Sequence, residues 1–213
     1  VDGGGFFQVQ PDFGSSIVCA LARIGGESIG IIANQPSVIA GSVDVDAADK
    51  AAHFIQVCDS FHLPLVFLAD NPGVLAGQAS ERAGILRAGA RMFAAQTRAQ
   101  TVKVHVTLRK AYGFGSSVMA MNPYDEQTLS FGFPGATLGA MGASGAGNAV
   151  GADEATRAEL HQAENESSYR SANGLSFDDL IDPRDLRKVV IESLAVSAHY
   201  EMQETKILHN IHM

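Results

Sequence analysis

The sequence is poor in cysteine and in clustered positive charge. Its two cysteines, Cys19 and Cys58, form no CxxC pair and lie in apolar stretches, so we predict reduced core thiols rather than a metal site. Fifteen lysine and arginine residues stand against 23 aspartate and glutamate residues, for a net charge of −8, and no basic cluster stands out. Proteins that bind nucleic acid usually carry a basic patch, so no nucleic-acid partner is predicted.

Long apolar runs and a signal peptide are also missing. Residues 1–5 include three glycines and have neither a basic start nor an apolar stretch. No uninterrupted apolar run approaches the roughly 20 residues that a membrane helix needs. We therefore predict a cytoplasmic protein with no membrane partner. Because the chain starts at Val1 rather than at methionine, we interpret it as a piece of something longer, although processing would leave the same start.

The chain does contain the material for one sizeable core. Of its 213 residues 46% are hydrophobic and 18% are charged, and the mean hydropathy is +0.07. These values are typical of a soluble globular protein, and the length fits one domain.

Short apolar runs alternate with amphipathic stretches along the chain. The runs, bounded by turn residues, predict strands at 16–23, 28–33, 65–69, 102–108 and from 129. Gly25 and Gly26 predict a tight turn between the first two strands. The amphipathic stretches predict helices after Asp44 or Asp46, after Ser80, at 116–121, at 153–171 and at 186–198. The first helix carries an apolar stripe of Ala51, Phe54, Ile55, Cys58 and Phe61. The alternation predicts an α/β fold with right-handed parallel crossovers.

Glycine-bearing or proline-bearing turns follow several predicted strands. They lie at 34–36, 70–73, 112–115 and 139–145. Ligands of parallel sheets usually bind at the carboxyl ends of the strands. Glycine lets a ligand approach the backbone, and a helix that starts there leaves N–H groups that can hold an oxyanion. For any single turn, closing the chain is the simpler interpretation, but four turns together favour a site.

Side chains that commonly carry catalysis form no recognisable motif. A dinucleotide site is disfavoured because Val118 stands at the third glycine of GxGxxG, and no phosphate-binding loop or HExxH occurs. The seven histidines are interpreted as structural or solvated. Ser116 and Ser117 do not fill GxSxG, which weakens a serine hydrolase. Asp70 is either a general base or a turn former, and Arg109 with Lys110 either faces an anionic ligand or is solvated.

An ordered series of motifs resembles the carboxyl-terminal half of the biotin-dependent carboxyltransferase β family, which includes propionyl-CoA and acetyl-CoA carboxylase β subunits. The motifs lie at 30–41, 46–61, 70–77 with 85–90, 107–113 and 182–184. They cover nearly the whole chain except for residues after Glu201. A co-linear series of this kind is far more specific than one glycine pattern.

The resemblance implies a crotonase-like ββα superhelix over residues 1–201, followed by a loosely held tail over 202–213. It also implies that the family's acyl-CoA-binding amino-terminal half is absent. The expected reaction moves a carboxylate from carboxybiotin, delivered on a carrier protein, to the α-carbon of an acyl-CoA. The implied partners are acyl-CoA, the biotin carboxylase and biotin carrier α subunit, the missing half and further copies in a homo-oligomer. The fragment is expected to be inactive alone.

The resemblance also assigns site residues. The backbone amides of Gly113, Phe114 and Gly115 are implied as oxyanion donors to biotin. The biotin pocket is implied to be lined by Pro72, Gly73, Val74, Leu75, Tyr112 and Ser117. No metal is implied.

Two departures from the family pattern stand out. Relatives commonly have Ala-Tyr-Gly-Gly-Ala-Tyr-Asp where this chain has Ala-Tyr-Gly-Phe-Gly-Ser-Ser, which places Phe114 at a glycine and Ser117 at an aspartate. Val74 replaces a phenylalanine beside the expected biotin ring. We expect either a changed acyl specificity or a loss of activity. Two alternatives therefore stay open: a stand-alone crotonase-type hydratase or isomerase, and a catalytically eroded assembly domain.

Overall fold

The computed structural model describes residues 1–122 and 127–196. The strands are β1 (Phe6–Val9), β2 (Ile17–Ile24), β3 (Glu27–Asn34), β4 (Leu65–Asn71), β5 (Lys103–Tyr112), β6 (Leu129–Gly132), β7 (Thr137–Gly139) and β8 (Asp179–Leu180). The helices are α1 (Val45–Ser60), α2 (Gln78–Ala83), α3 (Ile85–Arg98), α4 (Gly113–Val118), α5 (Ala143–Ala149), α6 (Glu154–Asn165), α7 (Ser167–Asn173) and α8, whose described part covers 186–196. Short 3₁₀ turns lie at Asp2–Gly4, Ile39–Gly41 and Pro183–Asp185.

The described strands form one mixed sheet in the order β1-β2-β3-β4-β5-β6-β8, and β7 pairs with β5 beyond the end of β6. β1, β2 and β3 are antiparallel neighbours, and the remaining pairs are parallel. The predicted α/β alternation and the hairpin at Gly25 and Gly26 are confirmed. The carboxyl ends of β3, β4, β5 and β7 therefore lie at the same edge of the sheet. None of the helices in the described ranges combines the length and apolar character that a membrane crossing needs.

The core has two parts, one on each face of the sheet. On one face, Ile32 and Phe67 pack with α1, α3 and the end of α4. On the other face, Val104, Val106 and Phe131 pack with Val190 and Leu194 of α8. Burial against both faces explains why the central strand β4 begins with five consecutive apolar residues, Leu-Val-Phe-Leu-Ala.

Both cysteines lie in the first of these clusters, as predicted, and neither forms a disulfide. Burial raises the pKa of Cys19 to about 12 and that of Cys58 to about 11. Both thiols therefore stay protonated at neutral pH and behave as small apolar side chains.

Helix α1 begins at Asp44, one of the two predicted caps, and Asp46 lies in its first turn. The Asp44 side chain accepts a hydrogen bond from the N–H of Ala47 at 2.9 Å, which satisfies one donor of the first turn. The predicted apolar stripe is buried from Ala51 to Cys58, but Phe61 is 72% exposed. The helix ends at Ser60, so the 3.6-residue period no longer applies to Phe61 and that assignment is wrong.

The helix predicted to start at a Ser80 cap is wrong in detail. Gly77 is the N-cap of α2, and Ser80 is buried within this helix. The helix ends before Gly84, and α3 begins after it. Gly84 has φ of 93°, a left-handed conformation that glycine adopts without steric cost. The predicted helix is therefore two helices with a glycine corner between them.

Two other predicted boundaries differ from those in the structure. Strand β5 continues to Tyr112 and α4 starts at Gly113, three residues before the predicted start at Ser116. The helix predicted over 153–171 is two helices that meet at Glu166, and Asp153 caps the first. The predicted helix stop at Pro123, the end of the last helix beyond 196 and the tail at 202–213 lie outside the described residues.

Candidate active site

The four predicted turns meet at one edge of the sheet, which we call the rim. Asn34 ends β3, Asn71 ends β4, Tyr112 ends β5 and Gly139 ends β7. Because β3, β4, β5 and β7 run parallel as neighbours, their carboxyl ends are brought side by side. The sequence prediction that these turns share a location is confirmed.

Two buried asparagines join the rim turns. The Asn34 amide donates to the Gly41 carbonyl at 3.2 Å, and its oxygen accepts from the Asp70 N–H and from Asn71 Nδ2, both at 3.1 Å. Asn71 Oδ1 in turn accepts from the N–H of Gly73 at 3.0 Å. The sequence predicted turns at both positions but assigned no role to either side chain. The available signal was that each asparagine ends a buried strand just ahead of a proline.

The 72–75 loop is fastened across the rim to Val43. The Val43 N–H donates to the Gly73 carbonyl at 3.1 Å, and the Leu75 N–H donates to the Val43 carbonyl at 2.8 Å. Gly73 is buried at φ of 129°, Pro72 is exposed, and the Val74 side chain packs on the core cluster beside α1. Of the predicted pocket residues in this loop, Val74 is therefore the one whose side chain packs against the core.

Helix α4 begins at the rim without a capping side chain. The N–H groups of its first turn have no acceptor within the helix. Packing around this turn is tight: a Cβ atom at Gly113 would lie 2.9 Å from the Ala140 carbonyl, and one at Gly115 would lie 2.1 Å from Asn71 Oδ1. Glycine at 113 and 115 thus lets the helix start directly against its neighbours.

The other end of α4 is held inside the protein by three side chains. Gln96 Nε2 donates to the Ser117 carbonyl at 3.1 Å, His105 Nδ1 donates to the Met119 carbonyl at 2.8 Å, and Gln127 Nε2 donates to the Ala120 carbonyl. Carbonyls of a helix end need such partners when they are buried. These hydrogen bonds therefore hold the carboxyl end of α4 in place.

His105 is a structural histidine, as predicted. A carbonyl can only accept, so the proton is on Nδ1 toward Met119, and Nε2 accepts from the Thr107 hydroxyl at 2.8 Å. Burial lowers the pKa of His105 to about 4, partly opposed by the hydrogen bond to Met119. The ring is therefore neutral at physiological pH.

The Phe114 side chain points away from the rim. Its ring lies 5.9 Å from that of Phe93 at an interplanar angle of 53°, and it contacts α3 where Gly89 leaves room. A Cβ at Gly89 would lie 2.8 Å from Phe114 Cε1. The Phe114 ring, which stands where relatives commonly have glycine, thus fits between α4 and α3.

Tyr112 is buried, and its hydroxyl is already engaged. It donates its proton to Glu164 Oε1 at 2.5 Å and lies 2.8 Å from Thr137 Oγ1. Burial and the Glu164 carboxylate raise the pKa of Tyr112 to about 12. Any contact of Tyr112 with a ligand must therefore use its ring or backbone rather than a free hydroxyl.

Two polar side chains near the rim that could act as a base or a nucleophile, those of Asp70 and Ser116, have partners. Asp70 forms an ion pair with Arg109 Nε at 3.0 Å, which assigns the role that the sequence left open for Arg109. Ser116 Oγ donates to the Gly113 carbonyl at 2.7 Å, and Ser117 is only half-buried. The described residues contain no group of three or more His, Cys, Asp or Glu that could hold a metal ion.

The family profile of the carboxyl transferase domain matches residues 1–211. The methylmalonyl-CoA carboxyltransferase 12S subunit of Propionibacterium freudenreichii subsp. shermanii is 40% identical over 209 residues, covering 93% of this chain and 40% of that protein. The propionyl-CoA carboxylase carboxyltransferase subunit of Haloferax mediterranei is 38% identical over 205 residues, covering 91% of this chain and 40% of that protein. The chain thus spans about two fifths of the length of these curated relatives.

The similar solved structures are also carboxyltransferase proteins. The transcarboxylase 12S hexamer with hydrolysed methylmalonyl-coenzyme A bound superposes with a TM-score of 0.87 at 40% identity, covering 93% of this chain and 39% of that one. The β subunit of geranyl-CoA carboxylase from P. aeruginosa superposes with a TM-score of 0.84 at 28% identity, covering 93% and 40%. These likenesses confirm the crotonase-like α/β fold predicted from sequence.

Proposed function

Because this chain belongs to the carboxyl transferase domain family, we propose that it forms the carboxybiotin-receiving part of a biotin-dependent acyl-CoA carboxyltransferase. The observation that carries the proposal is the amino end of α4, which starts at the rim with glycines packed against neighbouring segments and with no capping side chain. A set of neutral N–H donors suits a ureido oxygen, an acceptor that gains negative charge as the carboxylate leaves.

When bound, carboxybiotin would supply the carboxylate that is transferred and, once that carboxylate has left, a ureido nitrogen able to accept the α-proton of the acyl-CoA. The chain's own contribution is to orient the ring and to stabilise the developing oxyanion with backbone N–H groups. Among the three predicted donors we weight Phe114 and Gly115 above Gly113. The last residue pair of the β5–β7 ladder is Tyr112 with Gly139, and Gly113 comes directly after it. The N–H of Gly113 can therefore be used by the sheet instead of by a ligand.

The engaged side chains favour this mechanism over a crotonase-type hydratase or isomerase. That alternative needs a positioned carboxylate as acid or base. At the rim, Asp70 is paired with Arg109, and Glu164 accepts from both Tyr112 and Ala143. A mechanism in which biotin itself takes the proton needs neither carboxylate.

The accommodation of Phe114 argues against an eroded assembly domain. Its ring packs on Phe93 and α3 and leaves its backbone N–H in the first turn of α4. The predicted biotin contacts at Pro72, Gly73, Val74, Leu75, Tyr112 and Ser117 are retained as part of the proposal.

The acyl-CoA, carrier and assembly partners concern the whole protein. The related transcarboxylase 12S forms a hexamer and binds methylmalonyl-coenzyme A. We propose that the full protein likewise assembles as an oligomer, takes an acyl-CoA through its other half and meets a biotin carrier and biotin carboxylase partner. On this proposal the isolated chain binds biotin but does not carboxylate an acyl-CoA.

Two variants at one position test the proposal. Phe114→Ala removes the ring and keeps the N–H, whereas Phe114→Pro removes both, and proline is tolerated in the first turn of a helix. We expect Phe114→Pro to bind biotin about tenfold more weakly than Phe114→Ala, the value of roughly one hydrogen bond. Calorimetric titration of both folded variants with biotin measures the difference. Equal affinities would remove the Phe114 amide from the site.

A further inference from the structure

We infer that Glu164 is a positioning residue that holds the 139–143 segment against the start of α4. The inference rests on the proposed function, since it names what sets the geometry of the donor turn. Glu164 belongs to α6 and lies outside every motif that the sequence singled out.

Glu164 joins three elements through one oxygen. Its Oε1 accepts from the Tyr112 hydroxyl at 2.5 Å and from the Ala143 N–H at 3.0 Å. Tyr112 ends β5 immediately before the donor turn, and Ala143 is the first residue of α5. A single carboxylate oxygen of the half-buried Glu164 therefore sets the distance between the start of α5 and the end of β5.

Two serines next to Glu164 complete what we call the rim bracket, defined as Glu164, Ser167 and Ser168. Ser167 Oγ accepts from the Leu138 N–H at 2.8 Å, and Ser168 Oγ donates to the Pro134 carbonyl at 2.7 Å. Together the rim bracket contacts residues 134, 138 and 143. It thus fastens the chain on both sides of the 139–142 turn.

The 139–142 turn lies directly on the donor turn. The Ala140 carbonyl is close enough to Gly113 that a Cβ there would approach it to 2.9 Å, and Gly113 holds φ of 53°. Gly142 faces the Tyr112 ring, where a Cβ would lie 3.7 Å from the ring atoms. Releasing Ala143 would therefore loosen the contact that fixes the first residue of α4.

The charge of Glu164 supports this role. Its side chain is 18% exposed, and burial alone would raise its pKa. The hydrogen bonds from Tyr112 and Ala143, with His161 Nδ1 at 3.5 Å, outweigh burial and lower the pKa. The carboxylate is ionised at neutral pH, and charge-assisted hydrogen bonds are stronger and shorter than neutral ones.

The test compares Glu164→Ala, Glu164→Gln and Tyr112→Phe by amide NMR and by biotin titration. We expect Glu164→Ala to remove the exchange protection of the Ala143 N–H, to shift the amide signals of residues 113–115 and to weaken biotin binding about tenfold. Glu164→Gln keeps an acceptor oxygen, so its exchange protection, amide signals and biotin affinity should stay close to those of the wild type. Tyr112→Phe removes only the hydroxyl and should give a smaller change of the same kind.

Glu166→Ala is the matched control. Glu166 lies two residues away and pairs with the exposed Arg170 at 2.8 Å, away from the rim. It should leave the amides of 113–115 and biotin affinity unchanged. If Glu164→Ala fails to fold, Glu164→Gln and Tyr112→Phe carry the test.

The amide signals of the ligand-free protein decide the inference separately from the proposed function. If the wild-type chain binds no biotin, the proposed function fails, but displaced 113–115 signals in Glu164→Ala still support positioning by Glu164. If those signals and the biotin affinity stay at wild-type values, the inference is overturned.

Discussion

The carboxyl end of α4 lies inside the protein, where side chains from α3, β5 and the segment before β6 bind its carbonyls. The amino end lies at the rim, beside glycines and without a capping side chain. A helix of six residues is unstable by itself, so its orientation must come from tertiary contacts. The difference teaches that the buried end can supply the rigidity while the rim end keeps its donors available for a ligand.

Crowding the rim end should break this arrangement most severely. In Gly115→Ala the new Cβ would lie 2.1 Å from Asn71 Oδ1 and 2.6 Å from Gly73 Cα, so the helix or the rim must move. Overpacking of this degree costs about 3 kcal/mol, and we expect biotin binding to be lost. Urea denaturation and calorimetric titration measure the two effects.

Gly145→Ala is its control in another short helix. The nearest atom to a Cβ there is Met141 Sδ at 4.0 Å, so alanine should raise stability by up to about 1 kcal/mol through helix propensity. Similar free energies of unfolding for the two variants would show that packing at the rim end is not tight.

The buried end should respond to acid. The folded chain holds the pKa of His105 at about 4, whereas in the unfolded chain His105 has its ordinary pKa of 6.5. The unfolded state therefore binds the extra proton. The contribution of neutral His105 to the free energy of unfolding is complete above pH 6.5 and is lost as the pH falls toward 4. The loss amounts to about 3 kcal/mol. His105→Gln, which keeps a donor for Met119, should show a flatter pH dependence of the urea midpoint; an identical slope would contradict the assignment.

Breaking the asparagine link should loosen the rim without crowding it. Asn71→Ala leaves the Gly73 N–H without its acceptor and removes a donor to Asn34, which should cost about 2 kcal/mol. Hydrogen exchange should show lower protection at Gly73. Asn148→Ala, at an exposed site where Oδ1 accepts from Arg157, should cost clearly less. Equal costs would mean that the buried network adds nothing.

The smallest change is expected at Asp70. Its partner Arg109 is 59% exposed, and ion pairs of this kind contribute less than about 1 kcal/mol. Asp70→Asn should therefore leave stability and biotin affinity almost unchanged, as measured by urea denaturation and titration. A loss of more than about tenfold in affinity, equivalent to 1.4 kcal/mol, would instead place Asp70 in the site.

Local patterns were sufficient for much of the fold. The β2–β3 hairpin, the Asp44 cap and the strand–helix alternation follow from nearby residues, and all are confirmed. The residues Gly113-Phe114-Gly115 were predicted to be a turn, but tertiary contacts at the far end of α4 draw them into a helix. Likewise, only the left-handed conformation at Gly84 separates α2 from α3.

The candidate site was predictable in location but not in its supports. The glycine turns at strand ends pointed to the rim. The pairing of Asn34 with Asn71, the contact of His105 with Met119 and the reach of Glu164 to Tyr112 join residues 14 to 52 positions apart. Such contacts depend on sheet register and on the packing of α6, which no local pattern encodes.

The central claim is that first-turn amides of α4 face a ureido ring at the rim. A backbone amide NMR titration of the wild-type chain with biotin tests it most directly. We predict saturable shifts that are largest for Phe114 and Gly115, smaller for Gly113 and absent from the buried end at Met119. Saturating biotin that leaves the signals of Phe114 and Gly115 in place would contradict the claim.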